Sequence, residues 1–393
     1  MIRILSIDKT AGLESSHERH QAMADCNKIE LFVLGPRYWI ENGREVIWQP
    51  KEDASYQSCF GSVFFKDYYA RVGYYSGLCR ALIKTRPHVI QLFEEPWSIT
   101  AMQTVMAASL FAPTSKIFFY TWENIYRSWI YPSRASTLYR WIDKTLHTLS
   151  TGAVCATEGA KEVLLQKGYA KPILVNPYGI PSFFFSDADL RSTQTTTIDE
   201  TASSKQHETE ISAVKPFTFG YIGRMIHMKG IDLLLEALAA IPDARLILIG
   251  GGIDTERYRA NAHRLGIDDR IEWIPALTEQ RVPDAMRRMD VFVLPSRHTA
   301  GWKEQLGRVA IEAMATGTPV IGSRSGAIPE TIGDAGLLFA ENSLAELVER
   351  LVFLRDNPDA RIQLNEAGKR RAWEYYRWPR FAAQICEFYQ TFF

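Results

Sequence analysis

Short apolar runs punctuate the chain, each closed by a glycine, a proline or a polar cluster. In the first half they read IRILSI (2–7), IELFVLG (29–35), PHVIQLF (87–93) and KIFFY (116–120). In the second they read FTFGYIGR (217–224), RLILIGGG (245–252), RIEWIP (270–275), VFVLP (291–295) and PVIGS (319–323). Runs this short, rich in β-branched and aromatic residues and lacking a polar face, predict strands buried on both sides, as in a parallel sheet. A further strand is expected at 154–157. Between these runs the apolar positions take helical spacing: at 15–25, at 68–84, in stretches ending at Leu110 and Lys167, after Gly230, in RVAIEAMA (308–315) and at 360–393. The alternation predicts an α/β protein with parallel sheets, whose ligands bind beyond the carboxyl ends of the strands.

At 393 residues the chain is long for one core, so two domains are expected. The break falls in RSTQTTTIDETASSKQHETEISAVK (191–215), which has little to bury and reads as a flexible insertion. The expected division is a domain at 1–178, a linker with that insertion at 179–215, a domain at 216–372 and a terminal helix at 373–393. Lysine plus arginine and aspartate plus glutamate both number 45, without a basic block, so nothing points to nucleic acid. The five cysteines are scattered, with no C-x-x-C pair, which suits reduced thiols in a cytoplasm and argues against structural zinc. MIRILSI is too short for a signal peptide before Asp8 and Lys9, and no run reaches the ~18 apolar residues of a transmembrane helix. The expectation is a cytoplasmic protein, with a peripheral contact to the inner face of a membrane left open.

Chemistry concentrates at 294–331. Glu304 precedes Gln305-Leu306-Gly307, the predicted helix 308–315 starts there, and Gly317 with Pro319 ends it. A helix start offers N–H groups to an anion such as phosphate, here at Leu306 and Gly307. Glu304 and Glu312 would then flank that anion site and accept hydrogen bonds from hydroxyls, as on a sugar or ribose. On spacing alone, two solvated glutamates remain the simpler account. Gly223-Arg224 closes a predicted strand and Lys229 precedes a helix, a pairing that suits a phosphate clamp or two solvated cations.

Strand ends in the first half carry further candidates. The turn Asp8 to Gly12 follows the first strand, and His17 and His20 follow it as site or surface histidines. Glu94 and Glu95 end the third strand, and Glu95 would act either on a substrate hydroxyl or as a helix-start acid. Trp122 and Glu123 end the fourth, suited to a sugar or to rim packing. Asp187-Ala188-Asp189 is a D-x-D triplet, a pattern that can hold a metal ion. Its place beside the polar insertion argues against that role, and no metal is expected.

The E-x7-E pair at Glu304 and Glu312, within G-x-x-x-x-E-A-M-A-x-G-x-P-V-I, resembles the retaining glycosyltransferases of family 4, in a bacterial subgroup with Glu-Gln at 304–305. The G-R-x-x-x-x-K-G motif from Gly223 to Gly230 is similar to the same family's diphosphate motif. The resemblance implies the GT-B architecture, two Rossmann-like domains facing across a cleft, with the terminal helix crossing back to the first. It implies transfer of a sugar from a UDP- or GDP-sugar donor to an acceptor hydroxyl of a glycan, glycolipid or small molecule, with no further cofactor. Gly223, Arg224, Lys229, Leu306, Gly307 and Gly12 would bind the donor's diphosphate or nucleotide. Glu304 would face the donor sugar, Glu312 the ribose, and His17, Glu94, Glu95, Trp122 and Glu123 the acceptor side. The rival readings are a nucleotide-sugar epimerase of the same fold and a catalytically inactive nucleotide-sugar-binding protein.

Overall fold

A computed structural model describes residues 1–41, 44–64, 73–126, 136–185 and 216–393; the insertion at 191–215 and the D-x-D triplet lie outside them. The chain divides into two compact units, Met1–Pro181 with Tyr375–Phe393, and Ser182–Glu374.

The first unit runs β1 (Ile2–Ile7), α1 (Glu14–Ala24), β2 (Ile29–Pro36), β3 (Tyr38–Glu41), β4 (Arg44–Ile47), β5 (Gln57–Phe64), β6 (Gly73–Ser76), α2 (Leu78–Thr85), β7 (Val89–Leu92), α3 (Ile99–Phe111), β8 (Lys116–Thr121), α4 (Ser136–Leu149), β9 (Gly152–Cys155), α5 (Glu158–Gln166) and β10 (Ile173–Val175). Its sheet has the order β10-β9-β8-β7-β1-β2-β5-β6 and is parallel except at the β5–β6 edge; β3 and β4 form a separate antiparallel hairpin. Both faces of the sheet are buried. Leu5, Ile7 and Phe119 pack with Leu82, Val105 and Leu146 from α2, α3 and α4. Ile4, Phe118 and Tyr120, one residue out of phase, pack with Met23 of α1 and with Phe381, Ile385 and Tyr389 from the chain's end. Alternate residues therefore serve two cores, which is why these strands read as unbroken apolar runs.

The second unit runs β11 (Phe217–Ile222), α6 (Ile231–Ala240), β12 (Ala244–Ile249), α7 (Thr255–Leu265), β13 (Ile271–Ile274), α8 (Val282–Arg287), β14 (Val291–Leu294), α9 (Arg308–Ala315), β15 (Val320–Ser323), α10 (Ile328–Ile332), β16 (Leu337–Phe339), α11 (Leu344–Asp356) and α12 (Pro358–Tyr375). Its six strands are parallel in the order β13-β12-β11-β14-β15-β16.

Two expectations need correction. Residues 68–84 are not one helix: among those described, Gly73–Ser76 is a strand and the helix starts only at Leu78, after Gly77 with φ 90°. The terminal helix expected at 373–393 starts later, because α12 gives way to α13 (Trp378–Gln390) at Tyr376-Arg377. There the backbone N–H of Ile180 donates to the Tyr376 carbonyl (2.9 Å), and Asn176 Nδ2 donates to the Phe381 carbonyl (2.9 Å). These bonds, with buried Trp378 and Phe381, fix α13 to the first unit, whereas Trp373 meets Phe185 edge to face in the second.

Each sheet reverses its strand order once. In the first unit β1 is flanked by β2 and β7; in the second β11 is flanked by β12 and β14. Open α/β sheets bind ligands at such switch points, where the loops after the two central strands diverge and leave a crevice. The loops in question are 8–13 and 93–98 in the first unit, and 223–230 and 295–307 in the second.

Candidate functional site

In the second unit the loop after β11 must reach the end of β14. Gly230 makes this possible: its φ is +70°, and a Cβ there would lie 2.2 Å from the Pro295 carbonyl oxygen. The approach delivers Lys229 to Glu304, whose Oε2 accepts from Lys229 Nζ at 2.7 Å and from Ser296 Oγ at 2.8 Å. The ammonium also stands over the Trp302 ring, 4.6 Å from its centre. Glu304 is anchored through its main chain, since its carbonyl accepts from Ala327 N at 3.0 Å. Gly307 adopts a left-handed conformation (φ 73°) as the N-cap of α9. Arg224 is exposed and, among the described residues, pairs with no carboxylate. One half-neutralised cation, one uncommitted cation and a helix start therefore meet at a topological switch point. That is a combination suited to an anion carrying hydroxyl groups.

Glu312 belongs to a different arrangement. It sits on α9, 8 % exposed, with Oε1 2.9 Å from Arg308 Nε, while Arg308 also bonds Glu279. Burial pushes the Glu312 carboxyl up to about 7 despite the opposing Arg308 charge, and Glu279 adds to the rise. Arg308 went unnoticed in the sequence, although it stands four residues before Glu312 on one helix, the spacing of an intrahelical ion pair.

In the first unit the charges are sealed in. Lys9 Nζ meets Glu94 Oε2 at 2.7 Å, both fully buried. Asp8 bonds Arg19 and lies 3.3 Å from His20 Nε2. Burial alone would raise the Asp8 carboxyl, but Arg19 and His20 hold it well below the usual range. The Arg19 guanidinium stacks on Phe93, 4.2 Å from the ring centre. Asp8, Lys9 and Arg19 were not candidates, because a buried ion pair leaves no local pattern in a sequence. Glu95 accepts from Thr121 Oγ1 (2.6 Å) and Trp122 N (3.0 Å). Its burial, then the nearby Glu123 charge, push it up to about 7. Glu123 in turn holds Lys167 at 2.5 Å, and Lys167 bonds Asp143 at 2.9 Å.

The structure thus brings Glu94, Glu95, Trp122 and Glu123 to adjacent strand ends. Trp122 is half-buried, with its ring 4.7 Å from Tyr120 and 4.9 Å from Tyr178. The two histidines diverge. His17 Nδ1 lies 2.9 Å from the Tyr56 hydroxyl, whereas His20 is buried beside Asp8; burial lowers both imidazole pKa values. Gly12 lies against β4 and the residues after it, where a Cβ would come within 2.9 Å of Val46 Cγ1.

With this geometry in view, comparison with known proteins is decisive for the second unit. The profile of the glycosyl transferases group 1 family matches residues 203–371. Residues 203–371 belong to that family. The group 1 region also aligns with curated bacterial relatives. A GDP-mannose-dependent monoacylated alpha-(1-6)-phosphatidylinositol monomannoside mannosyltransferase of Corynebacterium glutamicum is 32 % identical, over 43 % of this chain and 45 % of the relative. Spore coat protein SA of Bacillus subtilis is 31 % identical, over 43 % and 48 %. The matched stretch spans a little under half the length of these relatives. Solved structures extend the likeness to the whole fold. Sucrose-phosphate synthase from Thermosynechococcus elongatus superposes with a TM-score of 0.69 at 17 % identity, covering 100 % of this chain and 99 % of its own. Anabaena HepE in complex with UDP gives 0.68 at 16 %, covering 100 % of each chain. The fold is that of the GT-B glycosyltransferases, as the resemblance of the motifs at 223–230 and 304–321 implied. No helix among the described residues is long and apolar enough to cross a membrane.

Proposed function

We propose that the protein is a retaining glycosyltransferase that moves a sugar from a UDP- or GDP-sugar to an acceptor hydroxyl. The observation that carries this reading is the Lys229–Glu304 pair, 2.7 Å apart on the two loops that diverge from the β11–β14 switch point, with exposed Arg224 on the same loop as Lys229. Arg224 and Lys229 neutralise the leaving diphosphate, helped by the N–H groups at Leu306 and Gly307. Glu304 accepts hydrogen bonds from the donor sugar and stabilises the positive charge that grows on its anomeric carbon. Glu312 binds the ribose hydroxyls. Gly223 and Gly12 are further donor-side candidates.

The acceptor is assigned to the first unit's strand-end cluster. Glu95, whose buried carboxyl titrates near neutrality, takes the proton as the acceptor oxygen bonds to the anomeric carbon and the bond to the diphosphate breaks. Glu94, Trp122, Glu123 and His17 are the further candidates on the acceptor side. Relatives that use GDP-mannose and a HepE structure that holds UDP support a nucleotide-sugar donor without choosing the base.

A thermal-shift panel of UDP, GDP and their sugars tests the donor reading, because a ligand raises apparent stability according to its affinity. Turnover with candidate acceptors, and proton NMR of the product's anomeric configuration, tests transfer and retention. A panel without any shift would overturn the donor assignment. Sugar release or epimerisation that no acceptor accelerates would overturn transfer.

A further inference from the structure

The carboxylate proposed to meet the ribose is held by a residue outside both motifs. Arg308 is the first residue of α9, immediately after the N-cap Gly307. A cation is out of place there, because the start of a helix is the positive end of its dipole. Two carboxylates from different elements account for it. One is Glu312, a turn further along the same helix, whose Oε1 lies 2.9 Å from Arg308 Nε. The other is Glu279, in the turn that precedes α8, which accepts from Arg308 Nη2. The guanidinium therefore meets the two acids through different nitrogens of one rigid fork.

Burial is graded across the three side chains. Glu312 is 11 % exposed, against 32 % for Glu279 and 43 % for Arg308. An acid as deep as Glu312 keeps its charge only beside a cation. Burial works against its ionisation, the Arg308 charge opposes burial, and Glu279 works with it. Arg308 on its own helix and Glu279 on the neighbouring turn are the charged groups that face Glu312 among the described residues. That charge matters to a sugar, because a hydroxyl donates more strongly to a carboxylate than to a neutral acid. Arg308 engages Oε1, so the carboxylate's second oxygen is left to accept.

We propose that Arg308 is a positioning residue of the donor site: clamped by Glu279, it keeps the Glu312 carboxylate charged and in place to accept from the ribose. The inference rests on the reading of Glu312 as the ribose ligand, and its test separates the two. The test is calorimetric titration of the full chain with UDP, GDP and their 2′,3′-dideoxy forms. The dideoxy forms keep base and diphosphate, so the ratio of affinities reads the hydroxyl contact alone. The wild type is expected to prefer the ribonucleotide about tenfold at roughly pH 8. The preference should fade as pH drops through about 7, where Glu312 takes up a proton. In Arg308→Gln it should shrink to about twofold and recover only at higher pH, since burial then acts without its counter-charge. Arg308→Lys, which keeps a charge within reach, should restore part of it. The dideoxy affinity should hold in every variant and so reports that each is folded. No binding, no ribonucleotide preference, or a preference that survives Glu312→Gln would overturn the ribose reading and the proposal with it. A preference that Glu312→Gln removes but Arg308→Gln leaves at its wild-type size and pH dependence would overturn the proposal alone. So would an Arg308→Gln variant that loses dideoxy and ribonucleotide affinity equally, because Arg308 would then support the fold and not the ribose contact.

Discussion

The two switch points share a topology and treat charge in opposite ways. At the β1–β7 corner four charges are paired internally: Lys9 with Glu94, at 2 % and 1 % side-chain exposure, and Asp8 with Arg19, beside His20. Phe93, Tyr178 and Trp378 lie within 6 Å of the Arg19 guanidinium and complete its enclosure. At the β11–β14 corner the Lys229–Glu304 pair keeps 13 % and 12 % exposure, and Arg224 stands in the open. A sealed ion pair is costly to break and has nothing left to offer an incoming ion. A partly open pair beside an uncommitted arginine can reorganise around an anion at little cost. The first corner's charges are committed to its own packing; the second is the corner proposed to receive a charged donor.

The largest effect should come from the open corner. Glu304→Gln preserves the shape and the bond from Ser296 but removes the charge, and kcat is expected to fall on the order of a hundredfold or more. A Gln variant with normal turnover in a steady-state assay would remove Glu304 from the reacting centre. At the sealed corner the expected loss is in stability. Lys9→Met leaves Glu94 buried without its counter-charge and should cost roughly 3–5 kcal/mol in urea unfolding, while Lys9→Met with Glu94→Leu recovers most of it. Lys229→Met should cost distinctly less, because Glu304 retains Ser296 and some solvent. Equal losses at the two corners would erase the contrast.

Glu312→Ala falls between the corners. A ribose contact made equally in ground and transition states should raise the donor KM about tenfold and leave kcat in place. A collapsed kcat with unchanged KM would move Glu312 into the chemistry.

Glu95 sharpens the comparison through pH. Its carboxyl titrates at about 7 in the folded protein, against an ordinary value of 4.5. Between those values the folded state keeps the proton that the unfolded chain has released. Stability should therefore fall as pH rises through that window and level off on either side. Glu312, raised to about 7 as well, contributes with the same sign. Glu95→Gln should flatten part of the slope in urea titrations at about pH 5 and pH 7.5, and a slope identical to wild type would mean that Glu95 is not the group responsible.

Much of this organisation was legible in the sequence, for physical reasons. Doubly buried strands announce themselves as apolar runs, so β1, β7, β8 and all five second-unit runs fall where expected. The β3–β4 hairpin and the β5–β6 edge were missed: β5 is only partly buried and reads QSCFGSVF, without a continuous apolar run. Lys229 and Glu304 could be proposed separately because each sits in a motif. Their 2.7 Å contact spans 75 residues and depends on Gly230 folding against Pro295, which no local pattern encodes. Lys9–Glu94 and Asp8–Arg19 were invisible for the same reason.

The smallest expected effect is none, and it concerns metal. A divalent ion on the donor diphosphate would occupy the oxygens that Arg224, Lys229 and the start of α9 are proposed to neutralise, and those two cations would repel it. Glu304 already accepts from Lys229 and Ser296 and so has weakened capacity as a hard-ion ligand. Asp187 and Asp189 are the alternative source of ligands. They follow Phe183-Phe184-Phe185 and precede the polar insertion, not the carboxyl end of a central strand, where a diphosphate would lie. Full turnover is therefore expected in excess EDTA, and Asp187→Ala with Asp189→Ala should leave kcat and donor KM unchanged. Activity lost on chelation and restored by magnesium or manganese would show that the open corner does not balance the diphosphate by itself, and the contrast between the two corners would have to be redrawn around the ion.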